Sequence, residues 1–227
     1  MTIIETSIGA ESVSPASSTR VGKGNYIAVG DKRALMAQRN VNGGIRVYIA
    51  LTVPEGWTST YGLDWQAPRD TKSKILDRYF GDRSESLKNL VYESGSSELR
   101  SWPLYDMPKP TEGGQWKTDL GVRLVGDAAH VMPPWTGRGA NMALLGAVEL
   151  GKKFGQSLLL AGLADEKPAK EEVLKALVQG MRAYERGMWT RMEKEKDENR
   201  RSQALLFAED SPKAFLEMMK QGALPQT

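Results

Sequence analysis

The residues best suited to chemistry lie between positions 121 and 146, in the run GVRLVGDAAHVMPPWTGRGANMALLG. Residues 122–125 are apolar and read as a short buried strand. That strand delivers Gly126-Asp127 at its carboxyl end, where ligands collect in α/β sheets. An aspartate placed there accepts hydrogen bonds from ligand hydroxyls, and Gly126 lets the backbone approach closely. Pro133 and Pro134 stiffen the following loop. Gly137-Arg138-Gly139 then opens a helix expected from about residue 139 to 159. A glycine-rich helix N-terminus offers free N–H groups and a partial positive charge. It suits an anion, or a heteroaromatic ring that becomes anionic. Taken alone, residues 137–141 form a weak pattern, because Met142 occupies the third glycine position of a dinucleotide fingerprint. Two ordinary turns account equally well for GDA and GRG when each is read separately.

Composition removes whole classes of chemistry. The chain of 227 residues contains no cysteine, so disulfides, thiolate metal sites and cysteine nucleophiles are excluded. His130 is the single histidine, which excludes a histidine-rich metal site and a two-histidine relay. Lys and Arg total 31 against 28 Asp and Glu, a net charge of +3 spread along the chain. The excess is small and spread out, so no nucleic-acid partner is expected. Apolar runs such as 47–51 and 158–161 are far shorter than the roughly 20 residues a membrane span needs. The N-terminus lacks a basic start followed by an apolar core. A cytoplasmic protein with no membrane partner is therefore expected.

The elements that must hold this segment follow from periodicity and turn residues. Residues 2–8 alternate weakly and suit a strand, and 9–20 read as a loop or linker. Strands are expected over 25–29, 33–39 and 44–52, joined by Asp31-Lys32 and by NVNGG. Asn-Gly is a hairpin signal because both residues accept positive φ. Helical spacing marks 72–80 and 87–91, and 99–105 reads as a strand ending at a proline. Residues 106–117 form a Pro/Gly-rich surface loop. Leu174, Leu177, Val178, Met181, Tyr184 and Met188 recur at helical steps within 171–208. The charged run 193–201 reads as a solvated helical face, and a short helix over 212–220 closes the chain. The organisation expected is 1–105, 106–170 and 171–227.

The joint string GDAAHVMPPWTGRGANMALLGAVELG resembles the second flavin-contacting motif of the single-component FAD-dependent aromatic monooxygenases, the para-hydroxybenzoate hydroxylase superfamily. Its pattern is Gly-Asp-Ala-Ala-His, then Pro-Pro, then Gly-x-Gly-x-Asn, and every position is present. Residues 24–57 are similar to the substrate-domain meander of the tetracycline-inactivating and salicylate hydroxylase-like branch. Tyr184-Glu185-Arg186 with Met188 and Arg191 resembles the helix after the flavin domain. The family's first motif, an N-terminal GxGxxG unit, has no counterpart here.

The resemblance implies an α/β (α+β) fold: an antiparallel substrate-domain sheet, the C-terminal remnant of an FAD-binding Rossmann-like domain, and long C-terminal helices. It implies FAD as cofactor and NADPH as reductant, acting on an aromatic or polycyclic small molecule. The chain is then expected to be a truncated monooxygenase. It would be inactive or weakly active alone, and would need a missing N-terminal half or self-associate. The resemblance further implies that Asp127 accepts from the flavin's ribityl chain and that Pro133 and Pro134 shape the wall beside the ring. Gly137, Arg138, Gly139, Ala140 and Asn141 would bring backbone N–H groups to its pyrimidine edge. Trp135 and the meander side chains Met36, Gln38 and Val47 are candidates to face substrate, with core packing the favoured role for Met36 and Val47. No catalytic side chain and no metal are expected, and His130 is expected to brace its loop. The alternatives are one half of a split monooxygenase, and a non-redox, isomerase-like or accessory protein that binds a small molecule.

Overall fold

A computed structural model describes residues 1–108, 122–162 and 169–220. In chain order the elements are β1 (Thr2–Ile8), α1 (Pro15–Val21), β2 (Asn25–Gly30), β3 (Arg33–Arg39), β4 (Ile45–Leu51), α2 (Trp57–Thr60), α3 (Pro68–Phe80), α4 (Glu85–Tyr92) and β5 (Arg100–Pro103). They continue with α5 (Asp127–His130), α6 (Gly139–Leu160), α7 (Lys170–Leu206) and α8 (Ser211–Lys220). These divide into two compact units, one of Met1–Leu104 with the segment from Ala204, the other Tyr105–Gln203.

The first unit is built on an antiparallel sheet of order β2-β3-β4-β1-β5. Its register places Ile4 opposite Ile49, and Ile49 opposite Leu35. Thr6, Val47 and Ala37 form the next row, and Ile8 lies opposite Ile45. Residues directly opposite share a face, so these rows make one continuous apolar surface. Ile75, Leu76 and Phe80 of α3 and Leu87, Leu90 and Val91 of α4 join it in a single core. The other face carries Met36 opposite Tyr48, Gln38 opposite Arg46, and Trp102 opposite Ile3. The hairpin between β2 and β3 turns on Asp31 and Lys32, both at positive φ (51° and 62°). This is the twist that two-residue hairpins favour.

The expected loop over 9–20 is corrected: it holds a 3-10 turn at Ala10–Ser12 and then α1. Ser14 caps α1 by accepting from Ser17 N–H at 3.1 Å, and Pro15 sits in the first turn, where a missing N–H costs nothing. Glu93 then accepts from the hydroxyls of Ser14 at 2.7 Å and Ser17 at 2.8 Å. A stretch too short and polar to show a period is thus made helical by its cap and a distant carboxylate. Of the expected 106–117 loop, residues 109–117 lie outside those described.

The second unit is helical. α7 turns Ala176, Gly180, Met181, Tyr184, Met188 and Met192 inward at helical steps, while Leu174 is exposed. Ala129, Tyr184, Met188 and Met192 form its core, with Met132, Met142, Leu150 and Trp189 packed against them. α6 and α7 approach closely: a Cβ added at Gly180 would lie 2.8 Å from the Lys153 carbonyl oxygen, and one at Gly146 3.2 Å from the Tyr184 hydroxyl. The buried strand expected over 122–125 is corrected. These residues carry no strand pairing, and Val122 is 65% and Leu124 39% exposed. A strand is stabilised by its neighbours' backbone groups, and none pairs with this segment among the described residues. Beside it, Arg123 forms an ion pair with Glu185 at 3.0 Å.

Candidate cofactor-binding site

Within the second unit, Gly126 turns the chain into α5 at φ 61° and ψ −143°, a region essentially reserved for glycine. A Cβ there would also sit 3.2 Å from the Cβ of Ala143. The turn leaves Asp127 exposed at the first position of α5. Its carboxylate makes no hydrogen bond or ion pair among the described residues. Three residues on, His130 is buried, and burial pushes its imidazole below the usual histidine range, against a smaller opposing effect of Asp127. Its backbone N–H bonds the Gly126 carbonyl at 3.0 Å, closing the turn.

Pro133 is half-buried, Pro134 is exposed, and a single 3-10 turn, Pro134–Thr136, follows. Gly137 ends that turn in the left-handed region at φ 68°, and Arg138 leads into α6. α6 has no side-chain cap. Its first backbone bond runs from Met142 N–H to the Arg138 carbonyl at 2.9 Å. The N–H groups of Gly139, Ala140 and Asn141 therefore precede the helical ladder and stand open at its positive end. A Cβ at Gly137 or at Gly139 would meet nothing within 4 Å, so the space before this helix is open.

Sequence reasoning missed what holds this loop. Arg138 Nη1 donates to Glu198 Oε2 at 2.6 Å and to Glu195 Oε2 at 3.2 Å. The hydrogen bond to Glu195 is the main reason the guanidinium pKa is raised further. Thr136 N–H donates to Asn199 Oδ1 at 3.2 Å, and Trp135 Nε1 to Gln203 Oε1 at 3.1 Å. Lys196 is buried and pairs with Asp106 at 3.1 Å. The run 193–201 is therefore not a wholly solvated face. The signal available was the i, i+3/i+4 spacing of Glu195, Glu198, Asn199 and Gln203, which puts four hydrogen-bonding side chains on one stripe.

The remaining candidates separate. Met36 and Gln38 lie on the sheet face opposite to that of Ile49 and Val47, half-buried and exposed. Val47 is fully buried on the opposite, helix-covered face, so it shares no surface with them. Trp135 is half-buried in the loop of the second unit. No group of three or more acidic or histidine side chains able to hold a metal occurs among the described residues.

Comparison with known proteins adds the class. A protein-family profile described as FAD binding domain matches residues 113–170. The monooxygenase asqM of Emericella nidulans is 26% identical over 236 residues, covering 90% of this chain and 53% of that protein. The kynurenine 3-monooxygenase of Myxococcus xanthus is 33% identical over 119 residues, covering 50% of this chain and 25% of that enzyme. Among solved structures, a salicylate hydroxylase substrate complex shares the fold over 100% of this chain and 54% of its own, with a TM-score of 0.62 and 19% identity. HpxO of Klebsiella pneumoniae, complexed with FAD and uric acid, covers 100% and 49%, with a TM-score of 0.60 and 18% identity. The chain spans about half the length of the relatives it matches over most of its own length. These findings place it in a class of FAD-binding proteins with the monooxygenase fold. The curated relatives are monooxygenases, and the segment similar to the FAD binding domain family spans residues 113–170.

Proposed function

We propose that this chain supplies the flavin-ring loop and the substrate-facing sheet of an FAD-dependent monooxygenase acting on an aromatic or polycyclic small molecule, with NADPH as reductant. The observation that carries the reading is the pairing, within one unit, of an open Asp127 carboxylate with an uncapped α6 N-terminus. A ribityl chain offers hydroxyl donors, and a flavin's pyrimidine edge offers acceptors, so donor and acceptor sets are complementary. The open space before Gly137 and Gly139 favours a flat ring lying close to backbone. FAD, when bound, supplies the redox and oxygen chemistry.

This chain's residues bind, orient and exclude water. Asp127 accepts from the ribityl hydroxyls. The N–H groups of Gly139, Ala140 and Asn141 donate to the ring edge. The α6 dipole favours negative charge there by about 0.3–1 kcal/mol if exposed, and up to about 2 kcal/mol if partly buried. Pro133 and Pro134 form the wall. In the sheet unit, Met36 and Gln38 face substrate and Val47 supports them from the core. In the second unit, Trp135 is a separate candidate for substrate contact.

No GxGxxG stretch occurs in this sequence, so the grip on the adenine dinucleotide must come from elsewhere. Exposed Val122, Leu124, Leu144, Leu145 and Val148 give the second unit an apolar surface suited to such a half, or to a second copy of this chain. The test is a titration of the purified chain with FAD and with FMN, followed by flavin fluorescence and the visible band. Because the contacts proposed reach only the ring and ribityl chain, FMN is expected to bind about as well as FAD. Asp127→Ala is expected to abolish both. Unchanged affinity in that variant removes the role given to Asp127, and absence of any flavin binding removes the reading for this chain alone.

A further inference from the structure

We infer that Glu195, Glu198 and Asn199 of α7 are positioning residues. They fix the 134–138 loop and, through it, the orientation of the N–H groups that open α6. The inference rests on the flavin reading above and names what sets the geometry of that site.

The loop has little to hold it by itself. Its own backbone closes one turn, Gly137 N–H to the Pro134 carbonyl at 3.1 Å. Proline at 133 and 134 removes two further donors. Gly137 sits at positive φ with nothing packed where a Cβ would be. The missing restraint comes from α7, which reaches a backbone donor at Thr136 and a side chain on either side of it, at Trp135 and Arg138. These bonds are not typical of a surface ion pair, which contributes little. Asn199 is 3% exposed and its acceptor meets a backbone N–H that would otherwise lack a partner. Arg138 Nη1 is shared by two carboxylates, Glu195 and Glu198, so one end of its guanidinium is tied to two points on α7.

A second consequence concerns charge. With Glu195 and Glu198 both on its guanidinium, Arg138 is neutralised by α7 rather than offered to a ligand. The positive feature left at the start of α6 is the set of backbone N–H groups. Backbone donors are fixed in direction by the helix, so the position of the loop decides where they aim. A shift of the loop therefore moves the donors as a group.

The experiment uses the full chain, the double variant Glu195→Gln/Glu198→Gln, and the conservative Glu198→Asp. Amide hydrogen exchange is measured without ligand, and FAD is then titrated while the visible band is recorded. In the double variant, exchange at the hydrogen-bonded amides of Thr136 and Gly137 is expected to rise about tenfold, roughly 1.4 kcal/mol. Exchange in the middle of α6 and of α7 is expected to stay unchanged, which shows that the second unit still folds. FAD affinity is expected to fall about tenfold with a shifted flavin band, and Glu198→Asp is expected to restore most of both. Unchanged exchange at Thr136 and Gly137 overturns the inference. So does raised exchange with unaltered FAD affinity and spectrum. If the parent chain takes up no FAD, the flavin reading fails separately, while exchange in the ligand-free protein still decides whether α7 holds the loop.

Discussion

Lys72 provides the sharpest test of the physical reasoning. It is buried within the first unit, and its ammonium donates to the carbonyls of Gly95 at 3.1 Å and Ser97 at 2.8 Å. No carboxylate pairs with it among the described residues. Burial, with a smaller contribution from Arg69, lowers its pKa from 10.5 to about 8. Above pH 8 the folded chain therefore sheds this proton while the unfolded chain still holds it. Stability rises with pH wherever the unfolded state binds more protons. Between pH 8 and 9.5 the gain is roughly 1.5 kcal/mol, from a folded value of about 8 and an unfolded one of 10.5. That window lies below the titration of Tyr184 and Lys88, whose raised values act in the opposite direction from about pH 10 upward. Urea unfolding at pH 8 and 9.5, followed by circular dichroism, measures the difference. Lys72→Met keeps the length of the side chain and removes the titration, so the rise is expected to vanish. A wild-type stability that is flat across this window refutes the reasoning, as does a rise that survives in the variant.

Three further outcomes are expected. Gly126→Ala should cost about 3 kcal/mol or more, since it combines glycine-only backbone with the contact to Ala143, whereas Gly137→Ala in open left-handed space should cost about 1–2 kcal/mol; urea midpoints of the two variants rank them. His130 is held neutral by burial, so stability should decline as pH falls below about 6.5, where the unfolded state gains the proton first; in His130→Leu that decline should be smaller. Tyr184→Phe removes a buried hydroxyl that has no partner among the described residues, so thermal unfolding should show a neutral effect or a gain of about 1 kcal/mol.

The sheet was legible because its signals are local. Residues 25–52 alternate and are punctuated by Asp31-Lys32 and by Asn-Gly-Gly, and the strands form as expected. The motif around Asp127 was legible because glycine and proline dictate backbone shape wherever they fall. The segment 122–125 misled because an apolar run specifies a strand only when neighbours exist to pair with it. The charged stripe on α7 was hidden for a different reason. Glu195 and Glu198 look like any solvated pair until Arg138, nearly 60 positions away in the chain, is brought against them. Val47 shows the limit of alternation: period two separates the faces of a strand, but it does not say which face the helices cover.

The two rims of the sheet bear on how copies of this protein can meet. β5 is only four residues long and ends in Pro103, which has no N–H to offer an incoming strand. At the other rim, α8 packs against β2. Growth of the sheet by adding a strand from another molecule is thereby discouraged at both ends. The route to fibril-like stacking is blunted, and aggregation on heating should be amorphous, driven by side chains, with little thioflavin-positive material.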